Sequence, residues 1–321
     1  MRLRYLFYFL IIVALLIISD QAAFFDAQSG MTLKKNTSQS LPALSPQLSS
    51  KLFEKMLPRH EVKKDPGPYD WLAHHPEPGQ TFKQYILSNP SVPDENQKII
   101  YIVRLGDFDQ KRDEIISKTA TMVGAFYQLP VKFLKSLSLS VVPEDARRIH
   151  PQTGDKQILT RTVIEDILIP LMPRDAFCLI AFTSSDLWPG EGWNFVFGEA
   201  SLYDRVGIWS IYRNGDPHES PEAYDLCLMR TIKTGLHEIG HMFSMMHCVY
   251  FECLMNGSNH RKESDERPVW LCPVCLRKLS WALKMDEEEI LSRFADMMHL
   301  FENNGFSDES GFYHEILGHL N

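Results

Sequence analysis

The run His237-Glu238-Ile239-Gly240-His241, with His247 six residues after His241, constrains this chain more than any other feature. Two histidines four apart project from one face of a helix, one turn above the other. One tetrahedral Zn²⁺ can take both rings there. His247 lies too far along a straight helix to reach the same ion, so the helix must stop and the chain must turn back near Ser244. Three histidines leave a fourth position open, the arrangement of a catalytic rather than a closed structural zinc. Glu238 follows the first ligand and is rotated off the ligand face, where it can act as base toward water at the metal.

Cys248 follows His247 directly, and Cys253, Cys272 and Cys275 complete a C-x4-C…C-x2-C set. Four thiolates in two close pairs are the ligand set of a structural zinc. The expected cofactors are therefore two zinc ions, one catalytic and one structural, with the second holding the strand that carries His247. Met255 sits in a tight turn shortly after the third histidine and resembles the Met-turn beneath the zinc of metzincin peptidases. Cys178 and Cys227 read as small buried hydrophobes rather than a disulfide.

Taken together, H-E-x-x-H-x5-H-C-x4-C-x-M…C-x2-C resembles the archaemetzincin family of zinc metallopeptidases. The segment 267–279 is similar to the family's second-zinc segment, 193–202 resembles the stretch before its catalytic helix, and the likeness runs from about 69 to about 283. It implies a zinc-activated water attacking a peptide bond with Glu238 as general base, on a peptide or protein substrate, aminopeptidase-like and inclined to short peptides. One departure stands out. Where the family usually has glycine at the turn that swings the third histidine back, this chain has Ser244. A serine held in a left-handed backbone costs about 1 kcal/mol more than glycine. The alternative function is accordingly a catalytically weak homologue that binds a peptide or partner. A nucleic-acid-binding zinc module, with Arg261, Lys262, Arg267, Arg277 and Lys278 around the cysteines, is a further rival. The net charge of −8 argues against a nucleic-acid partner, and a solvated loop accounts for those charges.

With 321 residues, 44% hydrophobic and 23% charged, the chain has room for one sizeable catalytic domain and appendages. Arg2 and Arg4 precede an apolar run over 5–18, then small and polar residues. This reads as a signal peptide or signal-anchor over 1–22, with membrane contact only through this segment if it is uncleaved. The expected location is the secretory pathway, secreted or anchored; the family resemblance implies a cytoplasmic alternative. Residues 23–60 read as a flexible linker with a sequon at Asn36, and 61–97 as an N-terminal wrap whose prolines forbid long helix. The zinc metallopeptidase domain is expected over 98–305, with the second zinc module at 248–275, and a C-terminal tail over 306–321.

Within that domain 99–103, 131–142 and 176–182 read as strands, and 111–127 and 158–169 as helices. This alternation implies an α/β (α+β) fold with a mixed, mostly parallel sheet. Two more strands, 195–202 and 206–212, precede the catalytic zinc helix expected near 226–243, and a C-terminal helical part follows over 276–283 and 287–301. The metzincin-like resemblance implies that 197–201 runs antiparallel at the sheet edge above the cleft, and that the fold is metzincin-like.

Overall fold

A strand that is apolar at every position must be covered on both faces, and Ala176–Thr183 is buried along its whole length. The computed structural model describes residues 50–320. In chain order its elements begin with helices α1 (Ser50–Met56), α2 (Trp71–His74) and α3 (Phe82–Leu87), strand β1 (Ile99–Leu105), helix α4 (Gln110–Tyr127) and strand β2 (Val131–Phe133). Strands β3 (Arg147–Ile149) and β4 (Lys156–Leu159) follow. Next comes a helical stretch whose ends are α5 (Thr160–Thr162) and α6 (Ile169–Leu171), joined by a more widely wound Val163–Leu168. Strands β5 (Ala176–Thr183), β6 (Asp186–Trp188), β7 (Gly198–Ser201) and β8 (Val206–Ser210) lead into helix α7 (Pro221–Met242). The chain closes with α8 (Arg261–Glu266), α9 (Pro273–Leu283), α10 (Glu287–Asn303) and α11 (Ser307–Leu320).

The main sheet has the order β2-β1-β5-β8-β7. All its pairings are parallel except β7 with β8, which is antiparallel with Gly198 opposite Trp209. The mixed α/β class is thus as the sequence implies, and the antiparallel edge strand as the metzincin-like resemblance implies. Helices α4 and α7 cover one face, burying Ile116, Val123, Phe126, Ile232, Leu236 and Ile239 against Ile100, Ile102 and Phe182. The other face packs on Val163, Ile164 and Leu168. A second, three-stranded sheet in the order β3-β4-β6 stands beside them.

Several expectations need correction. The strand expected over 131–142 stops at Phe133, because the Ser138 hydroxyl accepts the Ser140 N–H and bends the chain into a helical turn at Leu139–Val141. The helix expected from 158 starts at Thr160, since Lys156–Leu159 pairs as a strand with β3 and β6. The stretch read as a flexible linker ends in a helix, with Leu52, Phe53 and Met56 of α1 buried against α9 and α11. The tail is likewise a helix, whose Tyr313, Ile316 and Leu320 are buried. Arg267, Arg277 and Lys278, read as a solvated loop, are buried, with Arg277 over the Phe82 ring at 4.4 Å. The secretory or anchored location gains no support from the structure: among the described residues no helix is long and apolar enough to cross a membrane. The leader at 1–22 and the Asn36 sequon lie outside the described residues.

Candidate metal centres and cleft

Helix α7 begins where Ser220 accepts the Ala223 N–H ahead of Pro221, and it ends at Met242. Its apolar stripe faces the sheet, so His237 and His241 emerge on one flank with their Nε2 atoms 3.0 Å apart. Two nitrogens bound to one tetrahedral zinc at about 2.0–2.1 Å would lie about 3.3 Å apart. The helix closes in a Schellman motif: Met245 N–H donates to Gly240 O (3.3 Å) and Ser244 N–H to His241 O (2.7 Å). Ser244 holds the left-handed position of that motif at φ 64°, the geometry anticipated for it. The reversal brings His247 back, so that ligand nitrogens of all three histidines lie within 4.8 Å of one another.

Each ring is fixed from behind through Nδ1. His237 faces the Leu254 carbonyl at 2.8 Å, with the Arg267 guanidinium 3.0 Å from the same nitrogen, His241 faces the Met245 carbonyl at 2.6 Å, and His247 the Glu77 carboxylate at 2.9 Å. Such outer partners set the tautomer and leave Nε2 for a metal. The buried Nε2 of His247 has no hydrogen-bond partner among the described residues, which fits a metal-ligating role. Burial pushes His237 and His241 well below the ordinary imidazole range, toward the neutral form that ligates. Buried Glu238 opens into the same cleft, and no described side chain or backbone group hydrogen-bonds its carboxylate. Burial raises its pKa to about 8, with the Arg267 guanidinium pulling the other way.

Glu77 is the residue that sequence reasoning missed. It belongs to the N-terminal wrap, and no local pattern links it to His247, 170 residues away. Burial pushes its carboxyl up, but His247 and the Trp71 indole N–H (2.9 Å) outweigh that and hold it below the usual range. Trp71 also meets the His247 ring edge-on at 5.2 Å. Gly257 permits this approach, because a Cβ there would lie 2.5 Å from the indole. Farther along the wrap, Tyr85 O–H donates to Phe243 O (2.8 Å), Gln80 Nε2 to Ser244 O (3.3 Å), and Ser91 N–H to Ser244 Oγ (3.0 Å). The wrap therefore caps the exposed end of α7. Asp70, His260 and Glu263 also cluster. Their polar atoms are taken by one another and by backbone N–H groups of 67, 71 and 259, which makes a clasp between wrap and α8.

Beneath the histidines lies Met255, at the position expected for the Met-turn. A Cβ at Gly240 would sit 2.5 Å from its Sδ, so glycine in the helix lets the thioether press against it. Cys248 follows the third histidine. The sulfurs of Cys248, Cys253, Cys272 and Cys275 lie within 4.8 Å of one another, all buried and none in a disulfide. Cys248 Sγ is 3.6 Å from Cys272 Sγ, where two thiolates at about 2.3 Å from a tetrahedral zinc would be about 3.8 Å apart. Cys253 Sγ accepts N–H groups from Met255 (3.5 Å) and Cys272 (3.2 Å), and Cys272 and Cys275 occupy the start of α9, where the helix dipole favours thiolate. Cys178 and Cys227 are buried apart from this set.

Two clusters able to hold metal, one of them open to a cleft beside a buried carboxylate, define the metallopeptidase class, and the comparisons agree. The model of Peptidase family M54 matches residues 174–281. Archaemetzincin-2 of Homo sapiens is 38% identical over 251 residues, covering 68% of each chain. Archaemetzincin of Thermococcus kodakarensis is 37% identical over 105 residues, 32% of this chain and 56% of that one. The crystal structure of archaemetzincin from Methanopyrus kandleri is 28% identical and covers 60% of this chain and 99% of its own, with a TM-score of 0.47. The chain belongs to the archaemetzincin family of zinc metallopeptidases.

Proposed function

We propose that His237, His241 and His247 hold the catalytic zinc, that Glu238 is the general base of peptide hydrolysis, and that the four cysteines hold a structural zinc. One observation supports this reading: three imidazoles with Nδ1 committed converge beside a buried carboxylate that has no hydrogen-bond partner among the described residues. When bound, zinc supplies Lewis acidity toward the scissile carbonyl and lowers the pKa of the attacking water. Glu238 takes a proton from that water and returns it to the leaving amine. Glu77 and Trp71 orient His247, and edge strand β7 offers its backbone to an extended peptide. The cysteine site fixes the turn that delivers His247 and Met255.

Glu238→Ala is expected to retain two zinc ions per chain by elemental analysis while peptide cleavage falls about 10²–10⁴-fold. Cleavage at the parent rate would remove Glu238 from the mechanism. The left-handed Ser244 favours a second reading, a peptide-binding homologue of weak turnover. Peptide affinity measured beside turnover separates the two, since the second reading requires binding without appreciable hydrolysis.

A further inference from the structure

Arg213 and Arg230 lie beside Arg261 behind the cleft lining, and each of those two is held by a carboxylate. Arg213 is held by Asp186 through contacts of 2.8 and 2.7 Å, and Arg230 by Asp265 through 2.8 and 2.6 Å. Arg261 lies next to both. It donates Nη2 to Arg213 O at 2.9 Å and stacks over the Phe197 ring at 3.9 Å, and among the described residues it has no ion-pair partner. Its side chain lines the cleft together with Phe197, Ser264 and Arg267. The one carboxylate on that lining is Glu238, which the hydrolytic reading already uses. Burial, followed by the nearby Arg230, lowers Arg261 to about 10, so it remains charged at neutral pH.

A partly desolvated guanidinium with free donors, fixed by a ring stack and a backbone carbonyl, is a seat for a carboxylate, which it can bind through two parallel hydrogen bonds. We infer that Arg261 sets the specificity of this cleft by taking a carboxylate of the substrate on the side of the guanidinium that faces the cleft, where no carboxylate of the described chain pairs with it. The carboxylate comes from an acidic side chain or from a free chain terminus. This inference rests on the peptidase reading above, because it places the substrate beside the histidine cluster.

Hydroxamates test the inference without hydrolysis. The ω-carboxy hydroxamates of succinic, glutaric and adipic acid, each paired with its ω-amide, are titrated into the zinc-loaded full chain by calorimetry. At the chain length that spans the cleft, the acid is expected to bind about tenfold or more tighter than its amide. In Arg261→Gln each pair should become equal while the amides bind as in the parent. Equal binding of acid and amide at every length in the parent, with zinc-dependent binding intact, overturns the inference and leaves the peptidase reading standing. A preference that survives in Arg261→Gln also overturns it. Absence of any zinc-dependent hydroxamate binding removes the peptidase reading, and the inference with it. Cleavage of end-blocked peptides with Glu against Gln, and of acid-free peptides with free against amidated ends, then identifies the source. Preference for Glu assigns a side chain, preference for the free end assigns the terminus, and no preference in either pair counts against Arg261.

Discussion

The three-histidine and four-cysteine clusters share the dipeptide His247-Cys248, yet the chain treats them in opposite ways. Around the sulfurs everything is closed: all four are buried, and backbone N–H groups approach Cys253 from within the same loops. Around the imidazoles one side is left to a cleft lined by Trp71, Phe197 and Glu238. The partners differ as well. The thiolate set is built from residues 248–275 alone, whereas His247 depends on Glu77 from the far end of the described chain. A cage that closes on itself suits stability, and an open one whose ligand is steered from outside suits chemistry.

The largest effect should come from opening the closed site. Zinc in thiolate sites contributes about 10–16 kcal/mol in small finger peptides, comparable to a domain's whole stability of about 5–15 kcal/mol. Cys272→Ser is therefore expected to lower the melting temperature by about 10 °C or more and to lose zinc from both sites, since the turn carrying His247 loosens. Parental melting with only one zinc lost would show that the two clusters are independent.

Cutting the outside support of the open site should act more narrowly. Glu77→Ala is expected to weaken zinc at the histidine cluster by about 10–100-fold in chelator competition while the cysteine-bound zinc stays. Equal affinity in variant and parent would mean that Glu77 only packs against His247.

The smallest effect concerns Ser244, where a left-handed backbone and a hydrogen bond from Ser91 oppose each other. Ser244→Ala keeps the Cβ and loses the bond, while Ser244→Gly loses both. The glycine form should be more stable than the alanine form by about 1 kcal/mol in denaturant unfolding of zinc-loaded protein. No difference would show that the turn absorbs the Cβ without strain.

These contrasts also mark where the sequence could be read and where it could not. His237 and His241 are legible because a helix converts a spacing of four into adjacency, and the cysteines because C-x2-C closes on one ion. His247 required only the inference of a reversal, and the Schellman turn at Ser244 supplies it. Glu77 and Ser91 carry no comparable signal, since their contacts span more than 150 residues and no periodicity relates them. The long buried strands β1 and β5 declare themselves by uninterrupted apolar runs. Strands β3, β4 and β6 are three or four residues long and partly polar, too short for alternation to register.

The division of labour between the two clusters is tested most directly by removing zinc in steps. The full chain is titrated with chelator while bound zinc, far-UV circular dichroism and peptide cleavage are followed in the same samples. The account predicts that the first zinc leaves with all cleavage and without loss of secondary structure, and that the second leaves only as the fold melts. Cleavage that persists after the first zinc has gone, or a fold that collapses with it, would contradict the account.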